Sequence, residues 1–309
     1  MRTVVGMAIV VMTCVAVAQA AVLTIQDQTT GGTDSRVQDS LLMPELTGYA
    51  GAEADGNYGA EQTLRFYPDT ASNNFGDPTK YGPRHPVFKF DTSFFDGLTD
   101  PQVTSAKLRF YVHTRSNNNS TPAYTDMKLS RFLDGKDWIE GDGVYSRVPG
   151  GFTPQPGAAA LDGEVTWNSQ KHNASPAWAA AGATGADTDI DMASTKTFTI
   201  AASAHNGELR LIEIDVTDFA QAWVSGTAEN NGMIVWGGSA GTVGSGTNWN
   251  AIMSENPGGE SWWSMSAGAL MTTDISYRPS LVVEYIPEPA SSLFLGLGLL
   301  PMLRRRHLA

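Results

Sequence analysis

The stretch Lys107-Leu108-Arg109-Phe110-Tyr111-Val112-His113, KLRFYVH, places a large apolar side chain at every second position with polar or amphipathic ones between. Successive side chains of an extended chain point to opposite faces, so this pattern describes a strand with one buried and one wet face. Leu108, Phe110 and Val112 form the inward set. The same period-two pattern recurs at Phe88 and Phe90 around Lys89, and at Leu64 and Phe66 around Arg65. Further on, Ile212, Ile214 and Val216 alternate with Glu213 and Asp215, and Leu281, Val283 and Tyr285 mark a last strand. Loops rich in Gly, Pro, Asn and Asp separate these runs. Helix is legible only over about two turns from Thr217 to Ser225, where Asp218 is placed to cap and Phe219, Ala222 and Trp223 share a face. Many strands, little helix and no repeat period make the expected fold an all-β sandwich. The strand-poor segment from Asp134 to Asp191 reads as a long elaborated loop region, too poor in apolar residues for a core of its own.

Composition agrees with an exported β protein: only 17% of residues are charged, and Gly numbers 32 of 309. Met1 to Ala20 has one early Arg2, an apolar core from Val4 to Val17, and the small-residue pattern Ala18-Gln19-Ala20, as a secretory signal with cleavage after Ala20 requires. The one cysteine, Cys14, lies inside that signal, so the mature chain has neither a disulfide framework nor a zinc–thiolate site. At the other end the apolar run Leu293 to Leu303, an expected hydrophobic helix, is shorter than the about 20 helical residues that span a bilayer core. Arg304, Arg305 and Arg306 come directly after it and would remain on the cytoplasmic side during export. The expected division is therefore a signal peptide over 1–20, one domain over 21–286 and a tail over 287–309. Removing Arg2, the three terminal arginines and Glu288 from 20 basic and 32 acidic side chains leaves 16 and 31. Such an acidic surface argues against nucleic acid as a partner.

Pro287-Glu288-Pro289, the Leu- and Gly-rich stretch after it, and the terminal arginines together resemble a PEP-CTERM sorting signal. The resemblance implies export through the Sec translocon, transient contact of the tail with the inner membrane, and removal by an exosortase-type enzyme. A second resemblance covers roughly Asp39 to Ile286. Asn57-Tyr58-Gly59, Thr63-Leu64-Arg65-Phe66, Phe88-Lys89-Phe90-Asp91 and the run from Val103 to Val112 occur in the order seen in DNRLRE domains. So do the run from Asp137 to Gly143, Val165-Thr166-Trp167-Asn168, the run from Ile214 to Trp223, and the run from Arg278 to Tyr285. The literal Asp-Asn-Arg-Leu-Arg-Glu string is absent. This resemblance implies a non-catalytic jelly-roll sandwich, similar to modules that bind polysaccharides, alginate among them.

The chemistry-bearing candidates are few. Gly237-Gly238-Ser239-Ala240-Gly241 spells a nucleophile elbow, but the Gly-rich residues from Thr242 to Thr247 cannot make the helix an elbow needs, so a flexible loop is expected. His85, His113, His172 and His205 are scattered without metal-site spacing. Asp187, Asp189 and Asp191 would put three carboxylates on one side of an extended segment, a candidate calcium site, and Asp134, Asp137, Glu140 and Asp142 surround Trp138. Sugar rings stack on exposed aromatic faces beside polar groups, which makes Trp138, Trp178, Trp249, Trp262 and Trp263 the candidates. Trp167 and Trp223 are expected in the core. The expected role is structural or polysaccharide-binding at the cell envelope or in the extracellular matrix, without catalysis. The alternative is a secreted polysaccharide-degrading enzyme, a lyase or a glycosidase; glycosidase chemistry requires two carboxylates set across a cleft.

Overall fold

The computed structural model describes residues 19–28, 36–44, 53–59, 63–73, 83–114, 121–143, 159–174, 176–204, 208–243, 249–252 and 275–287. Its strands are β1 (Ala21–Ile25), β2 (Val37–Leu42), β3 (Thr63–Phe66), β4 (Thr70–Asn73), β5 (His85–Phe90) and β6 (Gln102–Thr114). They continue with β7 (Tyr124–Arg131), β8 (Lys196–Ile200), β9 (Leu209–Asp215), β10 (Met233–Val243), β11 (Trp249–Ile252) and β12 (Ser280–Ile286). One α-helix, α1 (Thr217–Val224), lies among the described residues. The strands form two sheets. The first runs β1-β12-β6-β11-β3 with β9 on the other side of β6; the second runs β2-β5-β10-β7-β8 with β4 beside β10. All pairs are antiparallel except β4 with β10. The fold is an all-β sandwich with one short helix.

Alternation in the sequence translates directly into this packing. Leu108, Phe110 and Val112 are fully buried, and Phe88 and Phe90 meet them from the second sheet, with the Phe88 and Phe110 rings 5.5 Å apart. Ile212, Ile214, Val216, Leu281, Val283 and Tyr285 join the same core. The helix closes one end of it through Phe219, Ala220 and Trp223. Its cap differs from expectation. The helix starts at Thr217, which leaves Asp218 inside the first turn, paired with Lys196 at 2.7 Å. Asp215 instead accepts the Thr217 amide and hydroxyl at 2.9 and 2.7 Å, and the Thr217 hydroxyl in turn accepts the Ala106 amide of β6 at 3.0 Å.

The segment after Asp134 also differs from the expected loop region, because it builds a second core. Phe132, Trp138, Val165, Trp178, Ala183 and Ile190 pack on Leu42, Val87 and Ile234, which point outward from the second sheet. The segment is too polar to bury itself alone, but it borrows three apolar side chains from a sheet face that would otherwise be wet. Trp178 stacks on Phe132 with centroids 5.2 Å apart, and both buried indoles satisfy their N–H on backbone carbonyls, Trp138 on Asn231 and Trp178 on Thr166. Gly237 to Gly241 lies within β10 rather than in a loop, with Gly237 and Gly238 both at positive φ beside Asp126 of β7, itself at φ 54.

Asn57 locks the second core to its surroundings. Its side-chain amide donates to the carbonyls of Glu140 and Val165, while its side-chain oxygen accepts the amides of Gly59 and Gly143 at 3.0 Å each. Glycine is required around it. Gly141 sits at φ +82, and a Cβ on Gly143 would lie 2.2 Å from the Asn57 carbonyl oxygen. The Asn-Tyr-Gly and Gly-Asp-Gly pieces of the sequence are thus two halves of one clamp. Truncating Asn57→Ala strands two buried carbonyls and two amides and is expected to cost about 3 kcal/mol, read as a lower urea midpoint with an unchanged m-value.

Candidate functional site

Each sheet has one face turned away from the main core. The outer face of the second sheet is covered by the second core. The outer face of the first is built from the other half of the β6 alternation: Lys107, Arg109, Tyr111 and His113, opposite Asp215, Glu213, Leu211 and Leu209 of β9.

Charges order one end of this face. Glu213 accepts Lys107 Nζ at 2.6 Å and Arg109 Nε at 2.7 Å, and these two hydrogen bonds hold its carboxyl below the usual glutamate range. Asp215 is likewise held low by the Thr217 hydroxyl and amide. An aromatic pair lies at the other end. Tyr277, in a short 3-10 turn over Ile275–Tyr277, meets Tyr111 edge to face with centroids 4.9 Å apart and planes at 82°. Both rings are partly exposed, and Leu211 beside Tyr111 is 41% exposed. Neither phenol hydroxyl has a protein partner among the described residues, so both are free to bond a ligand. The result is a shallow face with ring surface and free hydroxyls next to an ordered row of cations and anions.

The expected sugar platform is corrected by the packing. Trp138 and Trp249 are fully buried and Trp178 is 5% exposed. All three spend their indole N–H on backbone carbonyls, Trp249 on that of Pro122 at 3.1 Å. Arg210 lies over the Trp249 ring at 4.8 Å. Polar neighbours in sequence suggest exposure, but the carbonyls that take up the three indole N–H groups lie at least a dozen residues away, where the fold brings them against each ring. Trp262 and Trp263 lie outside the described residues. Trp223 is buried as expected, whereas Trp167 is only half-buried against His85. Trp236 is half-exposed too, but Lys128 Nζ covers its ring at 4.4 Å.

The calcium expectation is corrected as well. Residues 187 to 189 form a turn closed by an Ala186–Ile190 bridge, not an extended run, so the three carboxylates diverge. Asp187 accepts the Met192 amide; Asp191 pairs with Arg131 at 2.7 Å. Asp189 is fully buried, accepts the amides of Ala179, Ala180 and Gly185, and faces Lys136 Nζ at 3.1 Å. Its environment is already cationic. In the second acidic group, Asp137 binds Lys89 and Lys171, Asp134 accepts the Glu229 amide, and Glu140 accepts the Asp39 amide. Among the described residues, no group of three or more histidine, cysteine or carboxylate side chains gathers as metal ligands. Of the processing residues, Ala20 is exposed and Pro287 partly buried, while Ala18, Glu288, Pro289 and Arg304 to Arg306 lie outside the described residues. No described helix is long and apolar enough to cross a membrane.

No family model matches this chain, and a search of curated proteins returns no match. Tyr111 is legible as outward-facing from the alternation of KLRFYVH; nothing in Ser276-Tyr277-Arg278-Pro279 announces that Tyr277 folds against it.

His113 ends the row. By area it is half-buried, but its Nε2 is enclosed without a hydrogen-bond partner, and this desolvation lowers its pKa from 6.5 to about 4, against the opposing effect of a hydrogen bond with the Thr114 backbone. The unfolded chain takes up this proton near pH 6.5 and the folded chain only near pH 4, so the stability contributed by neutral His113 is lost as pH falls through that window. The loss is at most about 3 kcal/mol. Urea midpoints measured at pH 7, 5.5 and 4 should fall less steeply in His113→Gln than in the unaltered protein.

Proposed function

We propose that this chain is an exported, non-catalytic protein of the cell envelope or extracellular matrix, whose jelly-roll sandwich binds polysaccharide on the outer face of its first sheet. The signal over 1–20 takes it through the Sec translocon, and the tail from Pro287 is a sorting signal removed by an exosortase-type enzyme. The observation that carries the binding reading is the Tyr111–Tyr277 pair, two partly exposed rings with unbonded hydroxyls on an open face. A pyranose presents a C–H face to such rings and hydroxyls to such phenols. The Lys107–Glu213–Arg109 row supplies donors and acceptors alongside. Hydrolysis would need two available carboxylates across a cleft, whereas Glu213 and Asp215 on this face are already engaged by cations and by Thr217. This favours a binding role over a glycosidase.

The test is a glycan array probed with the exported protein, with and without calcium. A polysaccharide ligand is expected in at least one arm, and Tyr111→Ala or Tyr277→Ala should weaken it roughly tenfold, the equivalent of about 1.4 kcal/mol of lost stacking, with the melting temperature little changed. A blank array in both arms would remove the binding role and leave an envelope scaffold.

A further inference from the structure

β12 runs directly into the Pro287-Glu288-Pro289 motif. Ile286, its last residue, pairs with Gln102 of β6, and Tyr285 pairs with Val103 on one side and Ala21 on the other. Tyr285 is only 8% exposed and belongs to the main core. Its ring is met edge-on by Phe95 at 5.2 Å and Phe94 at 5.9 Å. Pro287 itself is partly buried. Enzymes that cut or transfer peptides take up their substrate as an extended segment of several residues, and residues paired within a sheet, Tyr285 on both edges and Ile286 on one, are closed to them until the strand end opens locally.

We infer that the folded domain withholds its own tail: the processing enzyme engages the motif only while Tyr285 and Ile286, the two residues ahead of it, are released from the sheet. This rests on the reading of the tail as a sorting signal. The register marks where release begins. Between Glu284 and Tyr285 the pairing with β6 slips, skipping Thr104, whose hydroxyl donates to the Glu284 carbonyl at 3.2 Å. The residues beyond that bulge form the smallest piece that can lift away while Leu281 to Glu284 stay paired. The reaction breaks one peptide bond of the motif, passing the acyl carbon to the enzyme's nucleophile and then to water or an amine, while the tail departs with the new amino group. The sheet takes no part in that chemistry. It sets how often the bond is presented, and thereby places tail removal before β12 docks or during its local opening.

The experiment tracks the full chain by pulse–chase in cells carrying an exosortase-type enzyme, with loss of the tail read by mass. Insertion of Gly-Ser-Gly-Ser between Ile286 and Pro287, which leaves every described strand intact, is expected to speed tail loss on the order of tenfold. Phe95→Ala, which loosens Tyr285, should accelerate it less. Equal rates for the unaltered chain and the linker variant overturn the withholding, while tail loss in both leaves the proposed function standing. No tail loss in either sinks the sorting reading and this inference with it. Hydrogen exchange on the full chain gives a readout independent of the enzyme. The Tyr285 and Ile286 amides should be protected; exchange at unfolded-peptide rates would overturn the inference on its own.

Discussion

Removal of the inner faces of two sheets from water is the interaction on which everything else in this chain depends. The sequence holds a single cysteine, Cys14, with no second one to pair with in the chain, so no intramolecular cross-link shares the load. Each apolar side chain of β6 that turns inward, Leu108, Phe110 and Val112, fixes by the same alternation that Lys107, Arg109, Tyr111 and His113 turn outward. The candidate binding face is thus the reverse side of the core. A one-residue slip of β6 would bury charges and expose Phe110 in a single step, which gives the register its specificity.

The second core shows how a polar segment becomes ordered without many apolar residues of its own. Leu42, Val87 and Ile234 reach out of the second sheet, and the aromatic residues Phe132, Trp138 and Trp178 close over them. Polar groups complete the fit: Asn57 bridges Gly59, Glu140, Gly143 and Val165, and buried Asp189 gathers three backbone amides and Lys136. A buried carboxylate is tolerable when hydrogen bonds and an opposite charge replace its lost water. The acidic residues with the look of metal ligands are engaged by backbone amides, as at Asp187 and Asp189, and by cations, as at Asp137 and Asp191.

Strands are legible because period two is a local property; six residues of alternation are enough to place Phe88, Phe110 or Val283. What the segment after Asp134 does is not legible, since the three side chains it packs on, Leu42, Val87 and Ile234, come from β2, β5 and β10, distant in sequence. The tryptophans fail as exposed candidates for a related reason. Thr247-Asn248-Trp249-Asn250 looks wet when read locally, yet Trp249 faces inward from β11 because β11 pairs with β6 and shares its inner face. The helix is found but its cap is misplaced by a few residues, since Asp215 and Asp218 both flank the start and only the strand's end decides between them. Tyr277 cannot be placed at all, because its position depends on a turn packing against β6.

The order β1-β12-β6 bears on how the chain acquires its shape. Gln26 donates to the carbonyl of Arg278, 252 residues further on, and every pairing of β12 joins segments made early to one made late. Contacts of such long range are slow to form. The first sheet therefore cannot be completed until the last strand of the chain has been made, so β1 and β6 must wait for β12 before that edge of the core closes.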